Sequence, residues 1–306
     1  MYRGAFGFDV RKWAAGLAGI VIALAIWQIL TETKVLDPVA VSSASTTLST
    51  LGPALGTGHL WSGVGETLEG TAIGFALGAV GGVLAGTVIG LNDIAYRSSF
   101  LVIEFLKTIP VIAVLPLAVL LFGTTLQMKV LLVTFGVFFP ILMQTIYGVR
   151  SVDPVVRDTG RVFGLGTWGR FKSITMPTAA PYIATGLRLA AAAALLLDVL
   201  SEIVAGGSGI GLQIMEGQEG GDIGYTYAMI VVVGTIGVIL VVGLTTLERR
   251  LLAWHDIYRD KLHGEKAWHP QRPRCALPVD ASRPAAPVVV RTVAPVALLP
   301  SAVGDP

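Results

Sequence analysis

Charge is scarce in this 306-residue chain, since Asp, Glu, Lys and Arg make up only 14 % of it, about half the share of an ordinary globular protein. Together with 53 % hydrophobic residues and a mean hydropathy of +0.73, this shortage excludes a soluble globular domain and a disordered chain. Cysteine is almost missing, and the single Cys275 excludes a disulfide framework and any multi-cysteine metal site. The sequence also contains no G-x-x-x-x-G-K-[ST] stretch, so it has no nucleotide-binding P-loop of its own.

Long apolar runs are abundant. A helix needs about 20 apolar residues to cross a bilayer, and six segments approach that length: 14–30, 66–91, 99–122, 128–147, 181–205 and 227–247. Basic residues before the first run allow a signal peptide, but its 17-residue length and the five later segments favour an uncleaved anchor. The sequence therefore predicts an all-α polytopic membrane protein with six transmembrane helices.

The basic residues are distributed unequally between the two sides of such a bundle. The segments on the side of the N-terminus hold Arg3, Arg11, Lys12, Arg97, Arg150, Arg157, Arg161, Arg170, Lys172 and the basic residues from Arg249 onward. The segments on the other side hold only Lys34 and Lys129. Because basic loops stay in the cytoplasm, both termini are predicted to be cytoplasmic.

This orientation divides the chain into five parts. Residues 1–13 form a cytoplasmic N-terminus, 14–30 the first helix, and 31–65 an external segment. Residues 66–254 form a five-helix core whose cytoplasmic loop spans 148–180. The remainder, 255–306, holds half of the sixteen prolines and is predicted to be a disordered cytoplasmic tail. Its His255, His263, His269 and Cys275 match no usual metal-ligand spacing, so no metal site is expected.

The second predicted span carries a glycine ladder, in which every fourth residue is glycine. A helix places such residues on one slowly turning ridge, and a bare ridge lets another helix approach closely. The pattern predicts helix packing within one subunit, and a sliding or subunit-contact surface is the alternative. The ladder consists of Gly70, Gly74, Gly78, Gly82, Gly86 and Gly90.

The third span contains Pro110 and Pro116, which remove backbone donors. Such a break is tolerated at membrane depth where neighbouring helices or a water-filled path satisfy the freed carbonyls. The sequence leaves open whether the prolines produce a packing kink or mark a helix that lines a pathway.

Charged residues inside spans are costly and usually face a bundle interior or a wet cavity. Glu104 and Lys107 are three apart and near enough to pair. In the fifth span Asp198 and Glu202 share a face, and Arg188 falls within about 40° of it. These residues predict that spans three and five line a polar path, unless Glu202 and Lys107 lie near the interfaces and extend outward.

The 148–180 loop is the longest inner loop before the tail. Asp153-Pro154 is typical of a helix start, with Asp153 as the cap. Gly164 is expected to end this helix, and apolar residues at 168, 171 and 174 follow one side of a second. Two short amphipathic helices would form either a docking surface for a soluble partner or a pair resting on lipid headgroups.

This loop resembles the cytoplasmic EAA loop of binding-protein-dependent ABC importer permeases. That motif has Glu-Ala-Ala, three residues, Gly and, twelve residues further on, a Leu-Pro step. Here Asp158-Thr159-Gly160, Gly164 and Met176-Pro177 stand at those places. Residues 14–254 are similar to the nitrate/sulfonate/taurine-type branch, with matching stretches that include Phe139-Pro140 and the run from Ser201 to Gly211. The Asp-Thr-Gly triplet departs from the family pattern, because it keeps the charge but shortens its reach.

The resemblance implies a type I ABC importer permease-like fold and transport of a small anion, such as a sulfonate, taurine or nitrate, by alternating access. It implies a bacterial inner-membrane location, a second permease subunit (identical in the simplest case), an ATP-binding subunit dimer and an extracytoplasmic solute-binding protein. ATP and Mg would be bound by the partner ATPase, and no cofactor by this chain. The implied ATPase-coupling residues are Asp158, Thr159, Gly160, Gly164 and Pro177. The expected pathway or gate residues are Lys107, Arg188, Asp198 and Glu202.

Two other classes compete with this interpretation. A secondary transporter or channel needs no ATPase, but such proteins often carry paired broken helices, and only one span here is interrupted by such a proline pair. A membrane-embedded enzyme could use Asp198 and Glu202 as a carboxylate pair, but no nucleophile motif accompanies them.

Overall fold

The computed structural model describes residues 10–37 and 40–252, and its regular structure in that part is helical throughout. The chain divides into two units, Met1–Arg259 and Asp260–Pro306, and the second lies wholly outside the described residues. The predictions made for the tail, including its histidines and Cys275, therefore concern residues that the structure does not describe.

The helices follow one another with short connections. In chain order they are α1 (Val10–Glu32), α2 (Ala44–Leu55), α3 (Gly58–Leu91), α4 (Asp93–Lys107), α5 (Val111–Phe122), α6 (Leu126–Arg150), α7 (Pro154–Val162), α8 (Thr167–Arg170), α9 (Met176–Ala205), α10 (Ile210–Glu219) and α11 (Ile223–Leu251). A five-residue π-helical segment, Phe171–Thr175, joins α8 to α9.

Four helices in the described part are long and apolar enough to cross a membrane: Gly58–Leu91, Leu126–Arg150, Thr167–Ala205 and Ile223–Leu251. The pair α4 and α5 forms a fifth candidate, and the apolar part of α1, Ala18–Glu32, is shorter than the others. The predicted all-α membrane fold is therefore confirmed. The count of six spans and the side of the termini stay predictions.

The third predicted span is broken rather than continuous. Its halves α4 and α5 meet at an angle of 83°, and Pro110 stands at the N-terminal cap of α5. Because proline has no N–H, it cannot donate to the last turn of α4, and the helix ends before it. Pro116 lies inside α5 without ending it.

The glycine ladder of α3 faces α6. Each ladder glycine is buried, and a Cβ placed on it would contact a residue of α6. These α6 residues also occur at every fourth position. A Cβ on Gly82, for example, would lie 2.9 Å from the Phe138 carbonyl oxygen and 3.1 Å from Ile141 Cβ. The two helices thus run parallel at a separation that only glycine permits. The α6 partners of the ladder are Lys129, Val133, Val137, Ile141, Thr145 and Val149.

Helix α6 is also in close contact with α9 on another side. Gly136 faces Leu197, Gly148 faces Ala179, and Gly186 of α9 faces Gln144. A buried cluster of Val133, Val137, Ile141, Ala190 and Ala194 fills the space between the two helices and α3. Consequently α6 lies between α3 and α9 as the central helix of the core.

The second short amphipathic helix predicted after Gly164 is wrong as a separate element. It forms the first turns of a helix that continues from Thr167 to Ala205 and so begins 14 residues before the predicted span 181–205. The continuity follows from the π-helical segment, which adjusts the hydrogen-bond register just before Pro177, where the N–H is missing. The second half of the loop is thereby continuous with the fifth predicted span.

Candidate functional site

A buried ion cluster joins α3, α6 and α9 near the start of α6. It consists of Lys129, Asp198 and Glu202, whose relative exposures are 2 %, 0 % and 0 %. Lys129 Nζ donates to Glu202 Oε1 at 2.6 Å and lies 4.0 Å from Asp198 Oδ1. Two carboxyl groups and one ammonium are thus enclosed together in the core.

Hydroxyl groups from α3 complete the cluster. Thr67 Oγ1 lies 2.9 and 3.0 Å from the two carboxylate oxygens of Glu202, and Thr71 Oγ1 donates to Asp198 Oδ2 at 2.8 Å. These threonines are close to the first ladder glycine, Gly70, so α3 supplies both the close approach and the polar contacts. Asp198 Oδ1 receives no hydrogen bond within the described residues.

The glycine-rich loop from Gly206 to Gly211 wraps around Glu202. The Gly211 N–H donates to Glu202 Oε2 at 2.8 Å, and the Ser208 carbonyl accepts from Lys129 at 2.8 Å. Gly209 has a φ of +138°, and a Cβ there would overlap the Glu202 carboxylate. Only glycine fits this contact, so the loop conformation and the ion cluster depend on each other.

The sequence placed Lys129 among the few basic residues of the outer segments and did not predict it as a site residue. Its position at the edge of the fourth predicted span made it resemble a loop cation, whereas the side chain is enclosed. One sequence signal points to it. Lys129 stands four residues before Val133 and eight before Val137, on the α6 face that meets the glycine ladder.

Arg188 does not join the ion cluster, contrary to the prediction that it shares a polar face with Glu202. Its guanidinium lies 3.3 Å from Glu248 Oε2 and so connects α9 to α11. The angle between residues gives only their positions around α9. Which residue Arg188 pairs with depends on which neighbouring helix lies opposite it. Arg188 remains a pathway candidate by prediction only.

Lys107 and Glu104 form the predicted pair, with Nζ 2.7 Å from Oε1 at the end of α4. Lys107 also lines a cavity of about 350 Å³ beside the α4–α5 break, whose other walls include Phe135, Phe139 and Tyr147. The broken span therefore borders this cavity, and the choice between a packing kink and a pathway-lining helix stays a prediction.

The 153–165 region forms a well-defined short helix. Asp153 caps it by accepting from the Val155 N–H at 2.7 Å, as predicted. Gly164 has a φ of +74°, and the Leu165 N–H donates to the Gly160 carbonyl at 3.0 Å, which closes the turn. Gly160 is buried, and a Cβ on it would lie 2.8 Å from Ile174 Cδ1.

The opposite side of α7 presents apolar side chains to the exterior. We call this set the α7 surface: Val155, Asp158, Val162 and Phe163, the three apolar members being 71 %, 86 % and 80 % exposed. Asp158 lies within it and contacts Arg161 at 3.2 Å. Exposed apolar side chains around one charge are typical of a protein contact surface.

Comparison with known proteins identifies the chain. Residues 78–253 match the family described as binding-protein-dependent transport system inner membrane component. The chain belongs to this family. The match includes α7, its Gly164 turn and both carboxylates of the ion cluster, so the predicted resemblance is confirmed.

Relatives of the permease cover most of its length. It is 29 % identical over 246 residues to a putative aliphatic sulfonates transport permease protein of Bacillus subtilis, covering 80 % of this chain and 89 % of that protein. It is 30 % identical over 228 residues to a nitrate import permease protein of Synechocystis, covering 72 % and 82 %.

Solved structures agree on the fold. The permease is similar to a chain of an inward-facing methionine ABC transporter, with a TM-score of 0.52, 21 % identity and coverage of 63 % of this chain and 94 % of that one. It is also similar to a chain of an amino acid ABC transporter solved with histidines, with a TM-score of 0.53, 16 % identity and coverage of 67 % and 98 %.

These comparisons establish the class of the permease. It is a multi-pass membrane subunit of an ABC importer, its relatives are transport subunits rather than enzymes, and the secondary-transporter alternative is not favoured. Proteins of this class work with an ATPase and a substrate-binding protein.

Proposed function

We propose that the permease imports a small organic or inorganic anion across the bacterial inner membrane, with the basic loops and both termini in the cytoplasm. Two copies of the chain form the membrane part, an ATP-binding subunit dimer docks beneath them, and an extracytoplasmic solute-binding protein delivers the anion. The names of the relatives, which carry sulfonates and nitrate, support this substrate class.

The α7 surface carries the proposal. Its exposed valines and Phe163 have no cover within the described residues, and Asp158 adds a charge that a polar partner could recognise. The Gly164 turn and Pro177 link α7 directly to the long helix that ends at Ala205. A force applied to α7 by the ATPase would therefore reach the ion cluster through one continuous helix.

The pathway residues are assigned two different tasks in this proposal. Lys107 borders the cavity beside the α4–α5 break and is placed to meet solute. Asp198 and Glu202 are enclosed within the subunit, so we assign them to holding the Gly206–Gly211 loop as a gate rather than to solute contact. Arg188 keeps α9 attached to α11 while the helix moves.

ATP and Mg act on the partner ATPase in this scheme, and this chain holds neither. ATP-driven closure of the ATPase dimer would draw the two α7 helices together and rock the third to fifth spans between inward-open and outward-open forms. Direction arises because the solute and its binding protein favour one form over the other.

The test is uptake into proteoliposomes that contain the full chain, its ATPase and its binding protein. We expect uptake of a radiolabelled alkanesulfonate or of nitrate that requires internal ATP and external binding protein. Equal uptake by vesicles that contain the permease alone would contradict the proposal. Thermal shift of the binding protein with each anion would identify the substrate.

A further inference from the structure

A basic cleft lies between α7 and the ends of α3 and α6. Its volume is about 520 Å³, and its walls include four arginines and one acid, Asp93. The arginines are Arg150, Arg157, Arg161 and Arg170. The cleft therefore has a strong positive charge at the level where two apolar helices, α3 and α6, end.

Two of these arginines already have carboxylate partners. Arg150 lies 2.8 Å from Asp93 and its guanidinium stacks over the Tyr96 ring at 4.1 Å, and Arg161 contacts the exposed Asp158. Arg157 and Arg170 have no ion pair within residues 10–37 and 40–252. Two arginines thus line this cavity without an ion pair among the described residues.

The arginine face of α7 is distinct from the α7 surface. Pro154, Arg157 and Arg161 stand at positions i, i+3 and i+7 and line the cleft, while Val155 and Val162 lie about 100° around the helix and face outward. The cleft and the α7 surface therefore use different side chains of α7, and they meet at the contact between Arg161 and Asp158.

We propose that this cleft binds a phosphate group. Guanidinium groups bind phosphate oxygens in bidentate fashion, and the hydroxyl groups of Thr167 and Thr175 add neutral donors on the same wall. Basic pockets between helix ends at the cytoplasmic surface bind anionic lipid headgroups, and the orientation given under the proposed function, on which this step rests, puts the cleft on that side. The phosphate comes either from such a headgroup or from free inorganic phosphate, and the bound group links α7 to the ends of α3 and α6.

Native mass spectrometry of the full-length permease in neutral detergent tests this proposal, with phosphatidylglycerol and inorganic phosphate as separate probes. We expect retention of one phosphate-bearing ligand, weakened by at least about tenfold in the double variant Arg157→Gln/Arg170→Gln. The matched control is Arg249→Gln/Arg250→Gln, which removes two exposed arginines at the end of α11, outside the cleft. It is expected to bind like the wild type.

The two probes distinguish the sources. Retention of phosphatidylglycerol alone assigns the cleft to a lipid headgroup, and millimolar binding of inorganic phosphate assigns it to a soluble anion. Failure of both probes, or equal binding by the double variant, overturns the proposal. The variant Arg157→Lys/Arg170→Lys, which keeps the charge, is expected to bind at an intermediate level if both proteins elute as single species.

A final comparison distinguishes failure of the phosphate site from failure of the proposed transport function. If the double variant loses its ATPase during purification and the wild-type complex retains neither probe, the arginines are ATPase contacts and the phosphate site is wrong. If phosphate binding is confirmed but uptake fails with every anion tried, the transport proposal fails and the phosphate site remains.

Discussion

Lys129 and Glu202 are 73 positions apart in the chain, yet their side chains form a 2.6 Å ion pair in the core between α3, α6 and α9. The pair is enclosed by backbone groups of the glycine-rich loop, so it connects three helices and one loop at a single point.

Replacing Lys129 by Met is expected to destabilise the permease by about 3–5 kcal/mol, because two buried carboxyl groups lose their only cation in the cluster. Thermal unfolding in detergent measures the loss. Lys172→Met, at an exposed position, serves as the control. The double variant Lys129→Met/Glu202→Met should recover part of the loss, and strictly additive effects of the two substitutions would contradict a direct pair.

Gly82→Ala is expected to cost about 1–3 kcal/mol, since its Cβ would lie 2.9 Å from the Phe138 carbonyl and the two helices must separate. The adjacent Gly81→Ala is the matched control, because the nearest atoms of Phe138 lie at an ordinary 3.4 Å. Thermal stability compares the two variants. Equal stability would show that α3 and α6 are not held at this distance.

Gly209→Ala is expected to lower stability by about 1–3 kcal/mol, because φ is +138° and the new Cβ overlaps the Glu202 carboxylate. Gly207→Ala is the control, as its nearest neighbour, Met128 Cε, lies at 3.7 Å. Limited proteolysis of the loop and thermal unfolding report the effect. Equal stability of the Gly209 and Gly207 variants would show that the loop does not contact the ion cluster.

Asp158→Arg is expected to abolish ATP-driven uptake while membrane insertion stays unchanged, because the side chain is exposed and supports no buried contact. Uptake and co-purification of the ATPase are the measurements. Asp158→Glu retains the charge on a longer side chain and should keep uptake. Normal transport by the arginine variant would show that the coupling assignment is wrong.

Gly164→Val is expected to destabilise the α7 turn by about 1–2 kcal/mol and to weaken ATPase binding, since valine disfavours a φ of +74°. Gly166→Ala is the control, because no atom lies within 4 Å of its Cβ and its φ is −62°. Gly164→Asn should be intermediate, as asparagine tolerates the left-handed region. Affinity of the purified ATPase for each variant measures the difference.

Local patterns in the sequence were sufficient to predict much of the fold. The apolar runs predicted an all-helical membrane protein, and Asp153-Pro154 predicted the capped start of α7. The four-residue glycine period predicted a ridge for close helix contact, and the ladder faces α6. Each of these depends on residues within a few turns of one another, where helix geometry alone sets the relationship.

The tertiary structure decided which charged groups meet. The four-residue spacing from Lys129 to Val133 places Lys129 on one face of α6, but its burial follows from the close approach of α3 that Gly70 permits. Arg188 lies near the Glu202 face by angle, but α11 brings Glu248 to it instead. Periodicity along one helix therefore determines which face a residue occupies, whereas the packing of several helices determines what that face touches.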